Sequence, residues 1–207
     1  MGKSEREGGV SNDRFLEAAF EEFVKRGFAK TGMREVIRKS GGSFSTIYKR
    51  FGSKEGLFAA AFEHQTKKMT LEFERVAEQM QEAPIEECLN AFALKIIDAI
   101  FDEKAMLMHR LIVTEGFKSD AKLGRIVMEI AIKGHISTLA AYIKKQQQKG
   151  ALREGDPFVA AARFIGCVKE PRHIHAIVTG RREAIDSAQR KAIAKEAARF
   201  FLYGFSA

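Results

Sequence analysis

Apolar residues recur along this chain at spacings of three and four, the period of helices with one buried face. In the first such stretch they are Phe15, Leu16, Ala19, Phe20 and Phe23, and Gly27 followed by Phe28 marks the exit. Ser11, Asn12 and Asp13 offer cap side chains ahead of it, and residues 1–11 read as a polar tail. A second, short helix starts at a Thr31 cap, carries Met33, Val36 and Ile37 on its inner face, and closes at Gly41-Gly42. A third runs from about Phe44 to Phe51 behind a Ser43 cap, and Gly52-Ser53 breaks it and starts a fourth. From there the pattern lengthens into helices at about 53–82, 85–102, 104–117, 121–149, 157–170 and 185–205, punctuated by Pro84, Gly150 and Asp156-Pro157. The assignment is open for residues 171–184.

The elements predict an all-α fold: a three-helix helix-turn-helix head over 12–55 and a larger helical body over 56–207. Three prolines and no Trp among 207 residues agree with helices, and nothing suggests a sheet. A chain that is 45% hydrophobic and 30% charged is globular rather than disordered. Cys88 and Cys167 both fall in apolar helical patterns and read as buried thiols in a reducing compartment. No signal peptide is visible and no apolar run approaches the length needed to span a bilayer, which predicts a cytoplasmic protein without membrane association.

Charge narrows the function. The formal net charge is +8, which favours polyanionic partners. Between Lys30 and Lys54, seven cationic side chains stand against Glu35 alone, a local +6. On a helical wheel of residues 44–51, Phe44, Ile47 and Phe51 share an inward arc, while Ser45 and Lys49, flanked by Thr46 and Tyr48, face out. Hydroxyls, a phenol and an ammonium on a short basic helix behind a tight turn are the chemistry of a major-groove reader. The candidate DNA-binding residues are Thr31, Arg34, Ser43, Phe44, Ser45, Thr46, Tyr48, Lys49 and Lys54.

The string Gly27-Phe28 … Thr31-Gly32-Met33-Arg34-Glu35-Val36-Ile37 … Ser40-Gly41-Gly42-Ser43-Phe44-Ser45-Thr46-Ile47-Tyr48-Lys49-Arg50-Phe51-Gly52-Ser53-Lys54-Glu55-Gly56-Leu57 resembles the amino-terminal signature of TetR-family repressors. The resemblance implies a homodimer on a palindromic double-stranded operator, the third helix in the major groove and Lys54 touching phosphate. Two positions depart from the pattern. Gly42 stands where an apolar residue usually plugs the turn, and Phe44 takes a place that is often polar and faces DNA in relatives. Either Phe44 rolls inward to replace the plug, or it meets a thymine methyl.

In the body, Lys149-Gly150-Ala151-Leu152-Arg153 … Asp156-Pro157 … Ala160-Ala161 … Phe164 is similar to the carboxy-terminal domain of a drug- and signal-responsive branch of that family. The last two helices build the dimer interface in relatives. The resemblance places that interface at Ala160, Ala161, Phe164, Cys167, Ala194, Ala197, Ala198, Phe201 and Phe205, an intramolecular seam being the competing use of the same small and aromatic residues. A small-molecule effector is expected among Phe92, Ile96, Met106, His109, Arg110, Val113, Phe117 and Tyr142, an apolar set with a few polar members. The expected device is a pendulum shift of the fourth helix that changes the separation of the two heads. No cofactor is implied.

Two other readings share these residues. A DNA-binding protein without an effector would keep the head and differ in the body. A metal-dependent enzyme would draw on His173 and His175 with His64, His109 or His135, without a nearby carboxylate or thiol to complete a site. No nucleophile elbow or phosphate-cradling glycine loop occurs, so the expectation is a regulator, neither an enzyme nor a metalloprotein.

Overall fold

The computed structural model describes residues 12–116, 122–181 and 184–206. Among them are eleven α-helices: α1 Asn12–Arg26, α2 Met33–Ser40, α3 Phe44–Phe51, α4 Lys54–Gln79, α5 Ile85–Ile100, α6 Glu103–Gly116, α7 Lys122–Ala131, α8 Ser137–Gln148, α9 Pro157–Lys169, α10 Arg172–Thr179 and α11 Ser187–Phe205. Helix α10 fills part of the stretch whose periodicity left the assignment open. A single isolated bridge, Leu152 with Ser206, is the one piece of β-type pairing among the described residues. Residues 1–11 and Phe117 lie outside the described residues.

The helix starts follow side-chain chemistry. Asp156 accepts from the backbone N–H groups of Phe158 and Val159 at 2.8 and 3.2 Å ahead of Pro157, and Asp186 forms a capping box with Gln189. Thr31 is a correction: the cap position of α2 is Gly32, without a side-chain bond.

The chain folds as two compact units, residues 12–65 with 110–130 and residues 66–109 with 131–206. Helix α4 carries the backbone from the first into the second. In the first unit, Phe15, Ala19 and Phe23 of α1, Val36 of α2, Ile47 of α3 and Leu57, Phe58 and Ala61 of α4 are all fully buried. Phe23, Phe28 and Phe58 form an aromatic triad with centroids 5.3–5.6 Å apart, joining α1, its exit loop and α4. Burying each such ring is worth about 2–3 kcal/mol, so three short helices hold as one head.

In the second unit α11 packs along α5 and α9, and α8 along α9. Its core includes Phe73, Leu89, Phe92, Ile96, Leu139, Ile143, Phe164 and Phe201. A π-helical turn, Ile132–Ile136, separates α7 from α8, with Gly134 off helical geometry at φ −95°, ψ −121°. The helical run Lys122–Gln148 is long and apolar enough by length and composition to cross a membrane, correcting the expectation that no run approaches that length. A third of its most apolar stretch is buried inside the protein.

Candidate nucleic-acid interface and buried polar cluster

Helix α3 is set on the head by its one fully buried side chain, Ile47, and by its cap. The Ser43 hydroxyl accepts from the Thr46 N–H at 3.2 Å and shares hydrogen bonds with the hydroxyls of Ser45 and Thr46 at 2.8 and 2.9 Å. Arg50 reaches back to donate to Asn12 Oδ1 at 2.8 Å, its guanidinium 5.7 Å from the Phe15 ring centre. Gly56 lets the first turn of α4 close on α3, since a Cβ there would overlap the Phe51 carbonyl oxygen.

Phe44 departs from its expected inward place. It is 43% exposed, its ring lies nearly parallel to that of Tyr48 with centroids 6.2 Å apart, and the Arg34 guanidinium sits 5.9 Å from its centre. The plug of the turn comes from α1 instead: a Cβ on Gly42, whose φ is +100°, would approach the Phe15 ring to 2.6 Å. The outward surface of α3 is thus Phe44, Ser45, Tyr48 and Lys49, with exposed Arg34 beside it.

One further head residue is placed differently from expectation. Thr31 is 2% exposed and its hydroxyl donates to the carbonyls of Glu22 and Gly27 at 3.0 and 2.8 Å, so it ties α1 to the loop and is corrected from the DNA face to the head's interior. Lys54 donates to the Ala29 carbonyl at 3.0 Å and lies 4.7 Å above the Phe28 ring. Burial draws its ammonium below the ordinary lysine range. Buried Glu22 ties α1 to α2 through Lys39. Burial pushes its carboxyl up, but hydrogen bonds from Arg26 at 2.7 Å and Lys39 at 3.3 Å outweigh that and hold it low.

The residues expected to meet a second copy are sealed inside the chain. Ala160, Ala161, Phe164, Ala194, Ala197, Ala198 and Phe201 are all buried, Cys167 and Phe205 half-buried. The Phe164 and Phe201 rings meet edge to face at 5.2 Å. The seven buried residues form the seam of α9 and α11 with α5, which corrects their assignment to a dimer interface, while Cys167 and Phe205 pack on its margin. The other faces of the same helices are open. Phe158 and Val159 on α9 are each 45% exposed, Phe200 and Tyr203 on α11 71% and 93%. Phe200 and Tyr203 line a shallow hollow of about 520 Å³ with Ala192, Lys195, Glu196 and Arg199.

Of the expected effector residues, Phe92 and Ile96 are core and Met106 packs with Ala176 and Ile177. Arg110 and Val113 face solvent on α6, which corrects their inclusion among buried contacts. His109 and Tyr142 belong to a polar cluster within the second unit. The His109 Nδ1–H faces His173 Nε2 at 3.0 Å, and His173 Nδ1 lies 3.4 Å from Glu170. The carboxylate accepts from Nδ1–H, leaving Nε2 as the acceptor for His109. Burial, with His173 second, pulls the His109 imidazole down to about 4. His173 is lowered chiefly by burial, with Lys169 adding and Glu170 opposing.

His135, inside the π turn, is also held neutral by burial, at about 4. Its ring packs edge to face on Phe73, Phe73 on Phe92, and Phe92 against Tyr142, with centroids 5.2–5.9 Å apart. Among the described residues the buried His135 Nδ1 has no hydrogen-bond partner, whereas the buried Tyr142 hydroxyl meets the weakly hydrogen-bonding Cys88 thiol. A periodicity reading misses His135, because the wide turn shifts the helical register and swings it inward. His173 and His175 do not converge, one buried and the other exposed. Among the described residues no group of three or more metal-ligating side chains comes together.

Comparison with known proteins follows this division. Residues 15–61 match the model described as bacterial regulatory proteins, tetR family, and residues 87–207 that of the AefR-like transcriptional repressor, C-terminal domain. A TetR-family transcriptional regulator from Mesorhizobium loti MAFF303099 is 26% identical over 94% of this chain and 96% of that one, with a TM-score of 0.80. The regulator FadR from Bacillus subtilis, solved with stearoyl-CoA, is 21% identical over 94% and 99% of the two chains, at a TM-score of 0.71. The flavonoid-responsive regulator FrrA is 24% identical over 94% and 96%, at 0.68. A comparison with curated proteins finds no match. Matched over its head and over more than half its length by the body domain, the chain belongs to the TetR family of bacterial transcriptional regulators.

Proposed function

We propose that the chain is a homodimeric repressor that releases a palindromic operator when a small molecule binds its body. The observation that carries the DNA half is the outward surface of α3. A helix anchored by Ile47 and capped by Ser43 presents two aromatic rings and Lys49, with Arg34 alongside, on a surface that none of the described residues covers. Residues 12–55 act as the reading head and 56–207 as the sensing and dimerising body. The heads of a dimer meet half-sites spaced by whole helical turns of DNA.

The effector half rests on His135 and Tyr142. An unpaired buried polar atom costs about 1–3 kcal/mol, so His135 Nδ1, with the Tyr142 hydroxyl held only by a weak thiol partner along the same aromatic chain, is a handle for a ligand that satisfies it. The solved relatives are linked to chemically different molecules, FrrA being flavonoid-responsive and FadR solved in complex with stearoyl-CoA, so the effector here follows from this interior. A ligand acts only by binding the two conformations unequally. Helix α4, running from the head unit into the body unit, is the covalent link nearest α3 in the chain, and α6 and the end of α7 also cross between the two units. Dimerisation uses the exposed faces of α9 and α11. As a DNA-bound regulator the protein works in the cytoplasm without cofactor, metal or catalysis.

The test is selection of fragments of the source genome by the purified full-length protein, followed by binding to a recovered site with rising salt. A palindromic site whose affinity falls steeply with salt supports the reading. Binding without sequence preference, or with a flat salt response, overturns it.

A further inference from the structure

Resting on the reading that α3 enters operator DNA, we propose that Phe44 is the principal base-reading residue of the head and that it reads the C5-methyl group of a thymine. The argument runs by elimination along α3. The helix Phe44–Phe51 carries no Asn, Gln, Asp or Glu, the side chains that read adenine or cytosine by hydrogen bonds. The hydroxyls of Ser43, Ser45 and Thr46 are engaged with one another around the cap. Arg50 is turned back onto Asn12 and the Phe15 ring. Lys49 remains outward as a point charge suited to phosphate.

What is left to touch bases is the plate of Phe44 and Tyr48, 43% and 50% exposed and inclined to each other by only 15°. Phe44 opens the helix, and the amino-terminal residues of a recognition helix are the ones that reach base edges. The apolar group the major groove offers is the methyl of thymine. Exposed phenyl carbons in a basic surface gain by leaving water against that methyl, whereas against cytosine the ring would strip water from an amino group without replacing its hydrogen bond. Arg34, 5.9 Å from the centre of the ring, steadies it and keeps a cation beside the plate for the neighbouring phosphate. Phe44 therefore sets specificity, and the surrounding cations set affinity.

The experiment uses the full-length protein and an operator it has selected from random duplexes. Each thymine of a half-site is replaced in turn by uracil, which removes one methyl and leaves pairing unchanged. One thymine, at the same place in both half-sites, is expected to lose about fourfold in affinity when replaced once and about fifteenfold when replaced in both, the factor expected of a buried methyl. Phe44→Ala should bind the thymine and uracil operators equally, and Phe44→Leu should keep part of the preference. Both variants should melt as the native protein does, since the ring is exposed. Indifference to every replacement, selected sites without a shared thymine, or a Phe44→Ala protein that still discriminates at the same position would each overturn the proposal while leaving operator binding intact. Failure to select any duplex overturns the parent reading as well.

Discussion

The ring of Phe15 occupies the space that a side chain at Gly42 would need, with only 2.6 Å between a Cβ there and the ring. The turn between α2 and α3 is therefore plugged from α1, and Gly42 is required twice, for its φ of +100° and for its missing Cβ. Gly42→Ala is expected to destabilise the head by about 2–4 kcal/mol, left-handed backbone strain adding to overpacking. Thermal or urea unfolding measures it. Combining Gly42→Ala with Phe15→Leu should relieve part of the clash, making the pair less costly than the sum of the two. Strict additivity would show that the ring is not what meets position 42.

That relationship marks the boundary of what sequence could tell. The head was legible because glycines, caps and three-and-four spacing punctuate short helices unambiguously, and because its cations cluster. Which aromatic fills the turn was not, since Phe15 and Phe44 are equally apolar and lie 29 positions apart. The body was legible as helices but not as surfaces. Helices α9 and α11 carry apolar residues on two faces, and spacing alone does not say which stripe meets α5 and which remains open. His135 was legible only as a spare metal ligand and not as an interior contact, because a π turn breaks the register by which its direction would be judged.

Lys49 is exposed on the outer face of α3, and in the proposed reading its ammonium is set against phosphate. Lys49→Ala is expected to weaken binding to matched and mismatched duplexes by a similar factor, leaving sequence preference in place. The slope of log affinity against log salt should fall in magnitude by about 1 for each head, about 2 for a dimer. Titrations at several salt concentrations measure this. A loss of preference with an unchanged slope would place Lys49 on a base instead.

Tyr203 is 93% exposed and Phe200 71%, although both lie on a helix whose opposite side is core. Charging that face should separate two copies without unfolding either. Phe200→Glu with Tyr203→Glu is expected to sediment as a folded monomer whose affinity for a two-half-site operator drops by orders of magnitude. Ala197→Leu, on the buried face, should instead lower the melting temperature by overpacking. A double variant that still sediments as a dimer would move the interface elsewhere.

His135 and His109 are neutral in the fold, each titrating near 4 against an ordinary 6.5. Lowered pKa values make the unfolded chain the first to take up protons as pH falls. Their contribution to stability is therefore complete above about 6.5 and is lost progressively down to about 4, by roughly 3 kcal/mol per group if the shift is fully expressed. Replacing His135 by Phe keeps a ring against Phe73 and removes the titrating group. Melting temperatures measured from pH 7.5 to 4.5 should then fall less for His135→Phe than for the native protein. Parallel curves would mean that the imidazole is protonated, or reaches water, within the fold. The same variant separates stability from sensing: having lost the unpartnered Nδ1, it should hold its operator as the native protein does and yet release it poorly when effector is added. Unaltered release would remove His135 from the effector site and leave Tyr142 as the handle to test next.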